Sequence, residues 1–137
     1  MIERYLLDTN VVSHIMQGRD LGLLARLTEL PVGQVVISSV TLAELQYGLH
    51  RKGHPARLRN ALTQVLLRMD VLPWDEAVAN CYGEFCAALE AQGINLSDFD
   101  MMIAAHAVAV DAILVSRDKA FAQVPTGLNQ RLRLEIW

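Results

Sequence analysis

The sequence predicts a three-layer α/β domain, in which a parallel sheet lies between two layers of helices. Short aliphatic runs alternate along the 137-residue chain with longer segments of helical periodicity. This alternation is typical of strands joined by right-handed crossover helices. The middle runs are continuously apolar, as expected for strands that are buried on both faces of the sheet. No linker or internal repeat divides the chain, so we expect residues 1–137 to form a single domain.

Five segments have the composition of strands, and the first four end at a polar residue or a proline. In chain order they are 5–8, 34–39, 70–73, 112–116 and 131–137. The segments between them have helical patterns, and these are 10–17, 20–30, 41–50, 55–69, 75–92 and 98–110. The pattern is clearest in 55–69, where apolar residues from Leu58 to Met69 recur at spacings of three and four and form one buried stripe.

Composition limits the class of protein. Hydrophobic residues make up 53% of the chain and charged residues 20%, which suits a domain with a sizeable core. No apolar run reaches the ~18 residues that span a membrane, and the charged start MIERY does not resemble a signal peptide. Cys81 and Cys86 have neither disulfide nor zinc spacing. We therefore expect a cytoplasmic protein with reduced thiols and no membrane partner.

Charge is segregated along the chain. The net charge of −3 argues against a general nucleic-acid coat protein, yet segment 51–68 contains no acid and segment 69–116 contains no Lys or Arg. Two solvated faces of opposite charge are one explanation. An acidic site beside a basic surface for phosphates is the other. The cations of the first segment are Arg51, Lys52, Arg57, Arg59 and Arg68.

Four acids fall at junctions between predicted strands and helices. Asp8 ends the first strand, and Glu44 lies one turn into the helix after the second strand. Asp100 lies in the first turn of a helix, and Asp118 follows the fourth strand. Each position has a structural explanation, because carboxylates favour helix N-termini. Taken singly, none of the four identifies a site.

Taken together, the four acids favour a metal site. Strand ends in an α/β sheet open on one crevice, so the carboxylates should converge. At an effective dielectric of about 20, two unit charges about 6 Å apart repel each other by about 2.8 kcal/mol. Oxygen ligands without histidine or cysteine suit Mg²⁺ or Mn²⁺, and such an ion activates water for phosphoryl displacement. The pattern indicates a metal-dependent phosphodiesterase.

Three segments of the chain resemble the signature blocks of the PIN domain, and more narrowly those of the VapC toxins of bacterial type II toxin–antitoxin pairs. In order they are LLDTNVVSHIM, SSVTLAELQYGL and DFDMMIAAHAVAVDAILVSRDKAF. The resemblance implies a five-stranded parallel sheet and an Mg²⁺-dependent endoribonuclease that also accepts Mn²⁺. It implies that a tRNA or rRNA is cut, that translation stops, and that a VapB antitoxin inhibits the enzyme. A toxin homodimer, and a larger complex with the antitoxin, are implied as well.

The resemblance also assigns roles by motif position. Asp8, Glu44, Asp100 and Asp118 occupy the catalytic acidic positions. Asp8 and Asp100 are expected to bind the metal ion directly, and Asp118 directly or through water. Glu44 is expected to hold a ligand water or to help deprotonate the attacking one. Asp98 is the rival of Asp100, and it ranks lower because Asp100 precedes MMIAAHA in the family's register.

Other polar residues are assigned supporting roles. Those that match polar family positions, and are expected to orient the metal ligands, are Thr9, Asn10 and Ser116. Arg117 departs from the family, which often has Asn or His there, and is expected to contact the scissile phosphate or to pair with Asp118. Arg51 and Lys52 are further candidates for phosphate binding. Tyr47, three residues after Glu44, is expected to be buried.

Two other function classes stay open at this point. A phosphotransfer or phosphatase domain also binds Mg²⁺ through an acidic pair, but a haloacid-dehalogenase-type enzyme would need a second aspartate where Asn10 stands. A receiver domain would need an acceptor aspartate at the end of the third strand, where only Asp75 is near. A non-catalytic interaction domain on the same fold would more often have lost one of the four acids.

Overall fold

Five parallel strands form one sheet in a computed structural model that describes residues 2–124 and 132–137. The strands are β1 (Tyr5–Leu7), β2 (Val35–Ser38), β3 (Asp70–Leu72), β4 (Ile113–Val115) and β5 (Arg133–Glu135). Their order across the sheet is β3-β2-β1-β4-β5. The register places Leu6 of β1 opposite Val36 of β2 and Leu114 of β4. The predicted parallel sheet and its five strands are confirmed.

Helices cover both faces of this sheet. Within the described residues they are α1 (Thr9–Gln17), α2 (Leu21–Glu29), α3 (Ser39–Arg51), α4 (Ala56–Leu66), α5 (Glu76–Ala91) and α6 (Asp98–Ala109), followed by a 3₁₀ turn (Lys119–Gln123). Successive strand residues point to opposite faces, so Leu6 and Leu7 enter two separate cores. Leu6 packs with residues of α5 and α6, and Leu7 packs with residues of α1 to α4. The result is the predicted three-layer arrangement.

The third strand differs from its prediction. Segment 70–73 was expected to be buried on both faces, but β3 is exposed over most of its length. The reason is its position at the edge of the sheet, where β2 is its only neighbour. The last predicted strand is shortened to β5, and its first residue, Arg131, lies outside the described residues.

Helix boundaries shift where a cap sets them. α3 begins two residues earlier than predicted, because the Ser38 hydroxyl accepts a hydrogen bond from the Val40 amide at 3.1 Å and caps the helix at the strand end. α4 ends at Leu66, three residues before the predicted end. None of the helices in the described parts of the chain is long and apolar enough to cross a membrane.

The strand order creates one crevice. The chain leaves β1 toward β2 on one side, and β4 joins β1 from the other side, so the strand order reverses at β1. Ligand sites in open α/β sheets lie at such a reversal, outside the carboxyl ends of the strands. The side chains that follow β1, β2 and β4 are therefore expected to line a ligand site.

Candidate active site

Asp8 lies between β1 and α1 and is 4% exposed. One carboxylate oxygen, Oδ1, accepts a hydrogen bond from the Val11 amide at 3.0 Å and caps α1. The other, Oδ2, accepts a hydrogen bond from the Ser116 hydroxyl. The helix N-terminus and these two donors stabilise a negative charge that burial would otherwise disfavour. Ser116 therefore contacts Asp8, as its supporting role requires.

Ser116 also joins Asp8 to Asp118. Its hydroxyl oxygen accepts a hydrogen bond from the Asp118 amide at 3.0 Å while its proton is donated to Asp8. The Asp118 carboxylate caps the following 3₁₀ turn through the Ala120 amide at 2.9 Å. The two acids that follow neighbouring strands β1 and β4 are thus linked through one side chain.

Glu44 approaches this pair from α3. Its Oε1 accepts a hydrogen bond from the Thr9 hydroxyl at 2.6 Å, and Thr9 also lies 3.2 Å from the Thr41 hydroxyl. Burial raises the pKa of Glu44, the Thr9 hydrogen bond lowers it, and the charges of Asp100 and Asp8 raise it further. Glu44 is therefore within electrostatic range of both acids, and Thr9 orients it.

Asp100 lies in the first turn of α6, which Ser97 caps by accepting a hydrogen bond from the Asp100 amide at 3.2 Å. Burial raises the pKa of Asp100, the side-chain hydrogen bond with Ser97 lowers it, and the charges of Asp118 and Asp8 raise it. Asp98, the rival, is exposed.

The charge of Asp98 acts elsewhere. It raises the pKa of Tyr82 and Cys86 on α5, although burial is the main cause of both shifts. The geometry therefore favours Asp100 over Asp98 as the member of the acidic group on α6.

Asp8, Glu44 and Asp118 are each within electrostatic range of Asp100, and none of these four acids forms an ion pair with a Lys or Arg in the described residues. Ion pairs within residues 2–124 and 132–137 use other acids, namely Glu3, Asp20, Glu29, Asp111 and Glu135. In the same ranges no group of three or more carboxylate, histidine or cysteine side chains is arranged so that it could hold a metal ion. Mg²⁺ usually binds one or two carboxylates and keeps several waters. Asp8 and Asp100 with a water-mediated Asp118 fit that requirement, and the all-oxygen donor set suits a hard cation.

The structure corrects one contact of Arg117. Its guanidinium does not pair with Asp118 but forms an ion pair with Asp20 at 2.7 Å and donates to the Trp137 carbonyl oxygen at 2.8 Å. Asp20 caps α2 through the Leu23 amide, and that hydrogen bond together with Arg117 lowers the pKa of Asp20. Arg117 precedes Asp118 in the chain, but its side chain reaches the N-terminus of α2, where Asp20 is its partner.

Four further residues for which the sequence made a prediction lie at the surface. Asn10 is exposed and takes part in none of the side-chain hydrogen bonds formed within the described chain. Arg51 lies over the Tyr47 ring, with its guanidinium carbon 5.8 Å from the ring centroid, and Lys52 is exposed at the end of α3. Tyr47 is 66% exposed, so its predicted burial is wrong. It lies on the side of α3 that faces away from the sheet.

Sequence reasoning missed the contacts that hold α6 against α3. His106 is completely buried, and its Nδ1 lies 2.7 Å from the Ser38 hydroxyl. The Trp74 amide donates to the Ser39 hydroxyl at 3.0 Å, and its indole N–H donates to the Met102 carbonyl oxygen at 3.1 Å. These bonds connect the helix that carries Asp100 with the start of the helix that carries Glu44. The sequence feature that could have indicated these contacts is the pair of serines at the end of β2, Ser38 and Ser39, whose hydroxyls are the partners.

The raised carboxyl pKa values predict a dependence of stability on pH. Glu44 and Asp100 hold their protons more tightly in the folded protein than at their ordinary values of 4.5 and 3.8. Their contribution to the free energy of unfolding is thus greatest below these values and falls as pH rises through the folded pKa. Urea unfolding of metal-free protein between pH 3 and pH 7 should show wild type losing stability relative to Asp100→Asn as pH rises. If the difference in unfolding free energy between wild type and Asp100→Asn stays constant from pH 3 to pH 7, the pKa of Asp100 is not raised by folding.

Comparisons with known proteins point to one family. Residues 5–127 match the PIN domain. The chain is 34% identical over 135 residues to "Ribonuclease VapC2" of Haemophilus influenzae, covering 98% of both chains. It is 35% identical over 134 residues to the "tRNA(fMet)-specific endonuclease VapC" of Shigella flexneri, again covering 98% of both. A chain of VapBC2 from Rickettsia felis, in a crystal structure with a DNA fragment from its promoter, superimposes with a TM-score of 0.87 at 30% identity, covering 97% of this chain and 98% of that one.

Proposed function

The chain belongs to the PIN domain family and is a VapC-type ribonuclease toxin, and we propose that it hydrolyses RNA phosphodiester bonds with Mg²⁺, or with Mn²⁺ in its place. The supporting observation is that Asp8, Glu44 and Asp118, which follow β1, β2 and β4, are within electrostatic range of Asp100 on α6, while none of the four forms an ion pair with a Lys or Arg in the described parts of the chain. We propose that one domain, residues 1–137, contains the whole active site.

The proposed chemistry divides roles among the four acids. A divalent ion bound there would supply an activated water and neutralise charge on the phosphoryl oxygens. Asp8 and Asp100 would hold the ion directly and Asp118 directly or through water, while Ser116 positions the Asp8 carboxylate and the Asp118 backbone. Glu44 receives the proton of the attacking water. Burial raises the pKa of Glu44, and the Thr9 hydroxyl donates a hydrogen bond that fixes the direction of its carboxylate.

The substrate we propose is a tRNA. The relative from Shigella flexneri, at 35% identity, and the one from Salmonella typhimurium, at 28%, are both called tRNA(fMet)-specific endonucleases. Cleavage of an initiator tRNA would stop translation at its first step, as expected of a toxin. The similarity over the full chain makes tRNA(fMet) the first substrate to test, with ribosomal RNA as the comparison.

The partner we propose is a VapB-type antitoxin. Similar structures from Rickettsia felis and Salmonella typhimurium are DNA-bound VapBC complexes. We propose that the toxin forms a homodimer, that the antitoxin assembles with it into a larger hetero-oligomer, and that both act in the cytoplasm where the RNA lies. Size-exclusion chromatography with light scattering on the toxin, alone and co-expressed with the product of an adjacent small reading frame, tests this assembly.

Cleavage should depend strictly on a divalent metal ion. In the described residues no histidine forms a hydrogen bond with any of the four acids, and His106 on α6 is buried against Ser38. We expect purified protein to cut tRNA(fMet) in Mg²⁺ or Mn²⁺, and to stop when excess chelator is present. Mapping of the RNA ends in total RNA gives the site. Cleavage that continues undiminished in chelator would reject the metal mechanism.

A further inference from the structure

The loop between β4 and the 3₁₀ turn consists of Ser116, Arg117 and Asp118. The Ser116 amide donates a hydrogen bond to the Glu135 carbonyl oxygen at 3.2 Å, which ties the loop to the end of β5. The Ser116 hydroxyl accepts from the Asp118 amide at 3.0 Å. Because Asp118 is exposed, packing does not fix its side chain, and its position depends on the contacts of the loop that carries it.

Arg117 anchors the same loop through two side-chain contacts. Its Nη2 forms an ion pair with Oδ2 of Asp20 at 2.7 Å, and its Nε donates to the Trp137 carbonyl oxygen at 2.8 Å. The two bonds start from different nitrogens of one planar guanidinium, so together they fix both the position and the orientation of the side chain. Arg117 therefore connects the residue before Asp118 with the start of α2 and with the segment that follows β5.

The Trp137 side chain is in turn held by three neighbours. Its indole N–H donates to Oε1 of Glu135 at 2.9 Å, and its ring centroid lies 5.5 Å from that of Tyr5. The guanidinium carbon of Arg26 lies over the Trp137 ring, 5.3 Å from its centroid, and Arg26 also forms an ion pair with Glu135 at 2.8 Å. These four residues, which we call the tryptophan cluster, fix the carbonyl group that Arg117 contacts.

We propose that Arg117 is a positioning residue, which ties its loop to Asp20 and to the tryptophan cluster and so holds Asp118 where it can reach the metal ion. The inference rests on the proposed metal-dependent function. A contact of Arg117 with the scissile phosphate is disfavoured, because Asp20 and the Trp137 carbonyl oxygen already occupy two sides of its guanidinium. Asn and His, which the family often has at this position, lack the guanidinium fork that makes both contacts.

Binding of Mn²⁺ in the absence of RNA tests this proposal without requiring cleavage. Arg117→Gln should bind Mn²⁺ about 10-fold more weakly than wild type, the low end of the range for groups that orient metal ligands. Arg133→Gln is the matched control. Arg133 also forms ion pairs, with Glu3 and Asp111, and donates to the Asp111 carbonyl oxygen at 2.8 Å, but it lies at the start of β5, away from the carboxyl ends of the strands. Its loss should leave Mn²⁺ affinity within 2-fold of wild type, with thermal melts showing both variants folded.

A double-mutant cycle shows whether Arg117 acts through Asp118. Asp118→Asn alone should weaken Mn²⁺ binding, and adding Arg117→Gln to it should weaken binding no further. Trp137→Leu keeps the carbonyl group but removes the ring contacts of the tryptophan cluster. It should weaken Mn²⁺ binding in the wild-type background and leave it unchanged in the Arg117→Gln protein, because the contact that transmits its effect is already lost.

RNA binding in chelator separates positioning from phosphate contact. Fluorescence anisotropy with a labelled single-stranded RNA should give Arg117→Gln an affinity within 2-fold of wild type and the same salt slope, whereas loss of a phosphate contact would reduce the slope by about 0.7.

Three results would overturn the proposal. They are equal Mn²⁺ affinity in Arg117→Gln and wild type, additive losses of Mn²⁺ affinity in Arg117→Gln and Asp118→Asn, and weaker RNA binding with a reduced salt slope in Arg117→Gln. Failure of the proposed function is distinguishable, because it shows in wild type, which would then bind no Mn²⁺ or cut no RNA, whereas failure of this inference shows only in the variants.

Discussion

Asp100→Asn should reduce RNA cleavage by ~100-fold or more, because the substitution removes a ligand on which both water activation and phosphate orientation depend. The metal-free variant should be as stable as wild type or more stable. Asparagine keeps the shape of the side chain and leaves the Ser97 cap of α6 in place, while it removes a carboxylate whose pKa is raised by burial and by the charges of Asp118 and Asp8. Mg²⁺ should stabilise the variant less than wild type.

Asp98→Asn is the matched control for this variant. It removes the same charge from the same helical turn, but Asp98 is exposed and its charge acts on α5. Cleavage should stay within about 2-fold of wild type in Asp98→Asn, as expected for a surface change. Thermal melts with and without Mg²⁺, run beside a tRNA cleavage assay, measure both effects. If the Asp100→Asn protein is destabilised and still cuts RNA, the role of Asp100 is structural and not catalytic.

Asp8→Asn should cause a loss of cleavage of similar size, ~100-fold or more. The amide oxygen of asparagine can still accept from the Val11 amide, so the cap of α1 survives. The charge that holds the metal ion is lost, together with the charged acceptor of the Ser116 hydroxyl. Melts in Mg²⁺ and in chelator should therefore differ less for Asp8→Asn than for wild type.

Two comparison variants separate capping from metal binding at this position. Asp8→Ala should cost about 1 kcal/mol more in stability than Asp8→Asn, because it also removes the cap. Asp75 caps α5 through the Val78 amide at 3.1 Å in the same way, but it stands outside the acidic group. Asp75→Asn should keep full cleavage. If the Asp8→Asn and Asp75→Asn proteins cleave RNA equally well, Asp8 serves only to cap α1 and does not bind a metal ion.

The sheet and its helices could be predicted because their pattern is local. Paired apolar residues such as Leu6 and Leu7 must enter cores on opposite faces, and the helical stripes repeat at fixed spacings. The acids Asp8 and Asp118 could be placed for the same reason, since the end of a parallel strand fixes which edge of the sheet its next residue occupies. Strand order is not local, and the exposed position of β3 at the sheet edge was therefore not predicted.

Side-chain partners were the part that sequence could not supply. Arg117 follows β4 beside Asp118, but its partner is Asp20, which is distant in sequence and is brought near only by the packing of α2. The contact between His106 and Ser38 joins residues 68 positions apart. Such pairs depend on how helices lie on the sheet, which periodicity does not specify. The different surroundings of two neighbours in the chain are of the same kind, since Lys52 lines a cleft between α1, α3 and α4 whereas Arg51 lies over the Tyr47 ring.

Binding of Mn²⁺, followed by electron paramagnetic resonance of the free ion, tests the central claim that these acids form a metal site. The account predicts that wild type and Asp98→Asn bind Mn²⁺ equally, and that Asp8→Asn and Asp100→Asn bind it at least 10-fold more weakly. Parallel tRNA cleavage assays should rank the four proteins in the same order. Equal Mn²⁺ affinity in all four proteins, or RNA cleavage by a wild type that binds no Mn²⁺, would contradict it.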